Sequence, residues 1–137
     1  MTATVPTQLP FGSVPLSAEW ETYRAAIIEL QPEAWQTIAP LNSWTVIGSS
    51  YAPFRFRYRS AFNEIQIQAN LTIGTSTNGV VIGNIPDPYR PPKIQGWPTT
   101  GAGTSPKCEL DSAGNLKMWD YTTGLYVSFN AIVPLDA

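Results

Sequence analysis

The stretch Asn63-Glu64-Ile65-Gln66-Ile67-Gln68-Ala69-Asn70-Leu71-Thr72-Ile73 decides the fold. Apolar and polar residues alternate through it without a break, which is the period of an extended strand whose side chains leave by opposite faces. Such a strand sends Ile65, Ile67, Ala69, Leu71 and Ile73 inward and Gln66, Gln68, Asn70 and Thr72 outward. At about 3.4 Å per residue it crosses a whole sheet.

The flanking segments carry the same period. On the N-terminal side, Phe54-Arg55-Phe56-Arg57-Tyr58-Arg59 alternates strictly and puts three aromatics on one face. Before it, strands are expected over 35–41 and 44–47, on either side of a turn at Asn42-Ser43. On the C-terminal side a strand is expected over 79–85. Pro86, Pro88, Pro91 and Pro92 then bar a central ladder position and predict an ordered loop or edge. A Gly/Thr/Pro-rich passage over 98–106 follows. Strands are next expected over 107–110 and 116–119, joined by the hairpin signal Asp111-Ser112-Ala113-Gly114-Asn115. The last strand, 125–133, places Leu125, Val127, Phe129 and Ala131 on one side. Eight or nine short strands with regular turns predict an all-β domain, a sandwich or jelly-roll-like head over 32–137.

The first part of the chain differs. Residues 17–31 read as one short α-helix, with Ser17 able to cap it, Glu19 and Glu21 near the positive end of its dipole, and Pro32 stopping it. Leu16, Trp20, Tyr23, Ile27 and Leu30 recur at spacings of four, three, four and three, the seam of a coiled coil. Trp20, Tyr23, Ile27 and Leu30 are therefore expected either to join subunits or to lie on the chain's own β domain. Residues 1–16 space Pro6, Pro10 and Pro15 among Val5, Leu9, Phe11, Val14 and Leu16. Proline there favours an extended arm, and the apolar residues are expected to dock it on a larger assembly.

Composition narrows the function. Only 13% of the 137 residues are charged, against 43% hydrophobic, where about 25% charged is usual, so part of the surface is expected to be covered by a partner. A net charge of −2 offers no basic field for nucleic acid. The single cysteine, Cys108, cannot form a disulfide within the chain. No apolar run reaches the length of about 20 residues needed for a membrane span, and Met1-Thr2-Ala3 does not open a signal peptide, so neither insertion nor signal-directed export is expected.

The chain has no histidine, which removes the usual general base, the usual zinc ligand and every Ser/His or Cys/His pairing. A glycosidase needs two carboxylates about 5–9.5 Å apart, and the ten acidic residues are scattered singly. No catalytic residue, metal site or cofactor is expected. For ligand binding the candidates are Arg55, Arg57 and Arg59, a basic stripe spaced about 7 Å apart on one strand face, able to grip an anionic glycan or a neighbour's acids with forked hydrogen bonds. Tyr89 and Trp97, set among prolines, join them as rings on which a sugar could stack.

The run Gly83-Asn84-Ile85-Pro86-Asp87-Pro88-Tyr89-Arg90-Pro91-Pro92 resembles the C-terminal head domains of bacteriophage tail fibres and related virion appendages. The similarity extends from about residue 35 to the C-terminus in the order of its parts. A Trp-bearing opening strand (41–47), an aromatic/Arg strand (54–59) and a long alternating strand (65–73) are followed by an Ile-Pro…Tyr-Arg-Pro turn (85–91), a short hairpin (111–116) and a closing apolar strand (125–133). The resemblance implies a homotrimer of β-sandwich heads on the virion surface, non-enzymatic, with other virion proteins and a host-surface glycan as partners. A tail fibre or minor tail protein is one implied role. With an arm and one helix but no shaft before the head, a capsid decoration or head-fibre protein is the other.

Overall fold

The structure, a computed structural model, describes residues 17–101, 105–122 and 125–136, without the side chains of 28–30. One helix, α1 (Ser17–Leu30), precedes ten strands: β1 (Gln36–Thr37), β2 (Thr45–Val46), β3 (Arg55–Arg59), β4 (Glu64–Thr72), β5 (Val80–Asn84), β6 (Gln95–Pro98), β7 (Thr100–Gly101), β8 (Lys107–Leu110), β9 (Asn115–Trp119) and β10 (Tyr126–Pro134). A 3-10 turn, Ser60–Phe62, links β3 to β4. The expected all-β sandwich is what forms, and every strand pair is antiparallel.

The larger sheet runs β1-β3-β4-β10-β7, with β2 also on β4, and the smaller runs β5-β9-β8-β6. β4 lies at the centre because its alternation is the longest. β10 pairs with all nine of its residues, from Tyr126 opposite Thr72 to Pro134 opposite Glu64. Ile65, Ile67, Ala69 and Leu71 of β4 and Val127, Phe129, Ala131 and Val133 of β10 are buried. They meet Ile82, Cys108, Leu110, Leu116 and Met118 of the smaller sheet in one apolar cluster. Among the described residues no polar or charged residue is buried, so the two layers are joined by apolar contact, the dominant favourable term in folding.

Two expected strands are much shorter than the sequence suggested. Only Gln36–Thr37 and Thr45–Val46 pair, because the chain between them changes sheets. Ile38 N donates to Phe54 O (2.9 Å) on the larger sheet, and Leu41 N donates to Ile82 O (2.9 Å) on the smaller one. The turn at Asn42-Ser43 does form, with φ of 55° and 65°, the positive values a type I′ turn requires. Conversely, β6 forms just before the Gly/Thr/Pro-rich passage and β7 within it, where no strand was expected. β6 is an edge strand, and an edge tolerates Pro98.

The hairpin at 111–115 is held by Asp111. Its Oδ1 accepts from the backbone N–H groups of Ala113 (3.0 Å) and Asn115 (2.9 Å), while its Oδ2 faces Lys117 Nζ at 3.1 Å.

Candidate functional site

The outward face of the larger sheet is built by register. β3 and β4 set Arg55 opposite Gln68, Arg57 opposite Gln66 and Arg59 opposite Glu64. Directly opposed side chains interact, and each arginine uses its neighbour: Arg55 Nε donates to Gln68 Oε1 at 2.9 Å and Arg57 Nε to Gln66 Oε1 at 2.9 Å. Arg59 Nη1 lies 3.2 Å from Glu64 Oε1. The guanidinium carbons of Arg55 and Arg57 also sit 4.2 and 4.4 Å from the centroid of the Trp35 ring, and that of Arg59 sits 5.1 Å from the Phe62 ring, all within the range of cation–π attraction. The expected basic stripe exists, but as a row of arginines engaged by amides, one carboxylate and two aromatic rings.

Beside it lies a cleft of about 430 Å³ across β4 and β10, whose floor includes Gln68, Asn70, Ser128 and Asn130. Ala52, whose carbonyl accepts from Asn70 Nδ2 at 3.0 Å, and Pro98 also line it. Gln66 Nε2 donates to Asn130 Oδ1 at 3.0 Å, carrying the hydrogen-bonded row from β3 across to β10. Trp35 and these polar residues were missed as site candidates. The alternation of β4 displays Gln66, Gln68 and Asn70, but nothing local in the sequence places Asn130 beside them.

Tyr89 and Trp97 do not join the arginines. Tyr89 packs against Phe56 and Tyr58, with ring centroids 5.6 and 5.4 Å away, and those residues leave β3 by the face opposite to the arginines. Its loop is fixed by Arg90, which donates to Ile85 O (2.7 Å) and Asn84 Oδ1 (3.3 Å) and lies 3.4 Å from Asp87 Oδ2. Trp97 is half-buried on β6 and meets Phe129 at 5.5 Å, since its register partner is the inward Cys108. Neither is the freely displayed loop aromatic that the surrounding prolines had suggested. The five candidates therefore divide into an outer group of three and two separate packing residues.

On α1, Trp20 and Ile27 are 61% and 57% exposed. With Tyr23 and Arg24 they line an open depression of about 540 Å³. Trp20 and Ile27 of the seam are thus displayed to the surroundings while Tyr23 is half-buried, and the side chain of Leu30 lies outside the described residues. So do Val5, Leu9, Phe11, Val14 and Leu16, the expected docking positions. No helix among the described residues is long and apolar enough to cross a membrane.

The titratable groups here hold structure. Burial would raise the Asp111 carboxyl, but the Asn115 N–H and Lys117 outweigh it and hold the carboxyl below its ordinary value. Burial, reinforced by Glu109, pushes the Cys108 thiol well up. Glu64, Asp87, Glu109 and Asp111 each face a cation, and no group of three metal-ligating side chains occurs among the described residues. The outer face can bind through hydrogen bonds, and no paired acid and base stand out on it.

No family model matches the chain, and none of the curated proteins matches it. Among solved structures, it is similar to the receptor binding protein of Listeria phage PSA, with a TM-score of 0.63 and 12% sequence identity, covering 85% of this chain and 75% of that one. At that identity the likeness is one of fold.

Proposed function

We propose that this chain is a non-enzymatic bacteriophage virion surface protein, a trimeric β head displayed for attachment to a glycan of the host surface. The observation that carries the proposal is the fold shared with a phage receptor binding protein over 85% of the chain. Two features support it. The outer face of the larger sheet presents amides and arginines held in place by one another, which suits recognition by hydrogen bonds. The apolar residues Trp20, Tyr23 and Ile27 leave α1 with a face for a second and third copy, and residues 1–16 are the segment assigned to docking on the particle.

The test is adsorption. Purified full-length protein should be retained on cells of the bacterium the phage infects and should block infection when added first. It should also show the mass of a trimer by light scattering. No retention and no block would remove the attachment reading. A copy number in the hundreds per particle would instead favour the capsid decoration role.

A further inference from the structure

We infer that the cleft on β4 and β10 is the ligand site of the head and that it selects an uncharged, polyhydroxylated ligand, a neutral saccharide, rather than the anionic one the arginine stripe suggested. The inference rests on the attachment reading and adds to it the place and the charge class of the ligand.

A guanidinium only donates, so Arg55 fixes the Gln68 amide with its oxygen toward β3, leaving the Nε2 group to the cleft. Arg57 fixes Gln66 in the same sense, Gln66 Nε2 then takes Asn130 Oδ1, and Asn130 Nδ2 is left over. Ala52 O takes Asn70 Nδ2 and leaves Asn70 Oδ1 as an acceptor. The Ser128 hydroxyl has no partner among the described residues and can both give and accept.

The floor is therefore an ordered set: a donor at Gln68, an acceptor at Asn70, a hydroxyl at Ser128 and a donor at Asn130. Adjacent donors and acceptors match hydroxyl groups, each of which donates one bond and accepts others. Orientation of the amides before binding lowers the ordering cost that weak ligands otherwise bear.

Charge decides the class. Among the described residues no charged one lines the cleft. Arg55 lies beside the cleft and is not part of its lining: its Nε is turned to Gln68 and its guanidinium stacks on Trp35. An anion on the floor would lose water with no cation of the lining to offset it. The volume of about 430 Å³ falls in the range of about 300–1,000 Å³ usual for small-ligand sites. The ring in its lining, Phe129, is buried and only 9% exposed, so the shallow floor offers little for a sugar to stack on and predicts a weak single site, with Kd on the order of 1 mM, which several copies on one particle would multiply.

The experiment uses the full chain labelled with nitrogen-15. The side-chain NH2 signals of Gln68 and Asn130 are followed while glucose, galactose, rhamnose and N-acetylglucosamine are added, with glucuronic and galacturonic acids as charged counterparts. At least one neutral sugar should shift both signals. Asn130→Asp keeps the oxygen that receives Gln66 and removes the donor, so it should weaken that sugar about five- to tenfold. Lys93→Ala, at an exposed residue outside the cleft, should bind as the parent does.

Silence of both signals toward every neutral sugar, unchanged binding by N130D in a folded protein, or tighter binding of a uronic acid than of its neutral parent would each overturn the inference. Retention on host cells, measured in parallel, separates the two claims. Retained protein with silent amides sinks the cleft alone. Responsive amides without retention sink the attachment reading and leave the cleft standing.

Discussion

Replacing Gly83 with alanine tests the joint between the two sheets. Gly83 is a buried residue of β5, and a Cβ built on it would stand 2.7 Å from Ile38 Cγ2 and 2.7 and 2.9 Å from Cε2 and Cζ of Phe54. Those contacts are far inside van der Waals distance, and both neighbours are walled in, with Ile38 3% and Phe54 0% exposed. Overpacking of this kind costs about 1–3 kcal/mol. For a domain of this size each kcal/mol shifts the melting temperature by about 3–5 °C, so Gly83→Ala should lower it by about 3–15 °C. Phe54→Leu opens space at the same point and alone should cost about 1–2 kcal/mol. Because the added methyl fills room that the lost ring vacates, the double variant should be more stable than the sum of the two losses predicts, by about 0.5–2 kcal/mol. Urea denaturation of the four proteins measures the cycle. Additivity, or a Gly83→Ala variant within about 0.5 kcal/mol of the parent, would refute this packing of β5 against the segment that leads into β3.

Two further outcomes are expected. Asp111 has a folded-state pKa below its unfolded value, so its stabilising effect is present above the unfolded carboxyl range and fades as pH falls through it. Asp111→Asn should then cost about 1–3 kcal/mol at neutral pH, with the gap to the parent closing below about pH 4, and a gap independent of pH in urea titrations would contradict the hub drawn for this hairpin. Cys108 is wholly buried and its thiol is pushed well up, so it should resist a thiol reagent in the native protein and react fully in denaturant; rapid reaction without denaturant would show that the sandwich opens there.

The extent to which the sequence foretold these features follows from the range of the interactions behind them. Alternation is local, so β3, β4 and β10 could be read from their own residues, and Asp111 to Asn115 marked its own hairpin. β6 and β7 could not, because Gln95–Pro98 and Thr100–Gly101 owe their extended state to β8 and β10 rather than to their composition. The three arginines were visible as a stripe. Their partners were not, since which side chain faces Arg55 is set by register, and the amide link from Gln66 to Asn130 spans 64 positions of chain. Trp97 was misread for a related reason: prolines around it signalled a loop, while its pairing with Cys108 turned its ring inward.

The strict alternation of β4 and β10 also bears on how such a protein can change over generations. Every second rung of the two central strands is buried, and the rungs between them face the other way, toward one another, the arginines of β3, the Ala52 carbonyl and the surroundings. Exchanges at Gln66, Gln68, Asn70, Ser128 or Asn130 alter what the molecule recognises while the packing beneath stays as it was. Recognition can therefore diversify rapidly on a scaffold that hardly moves.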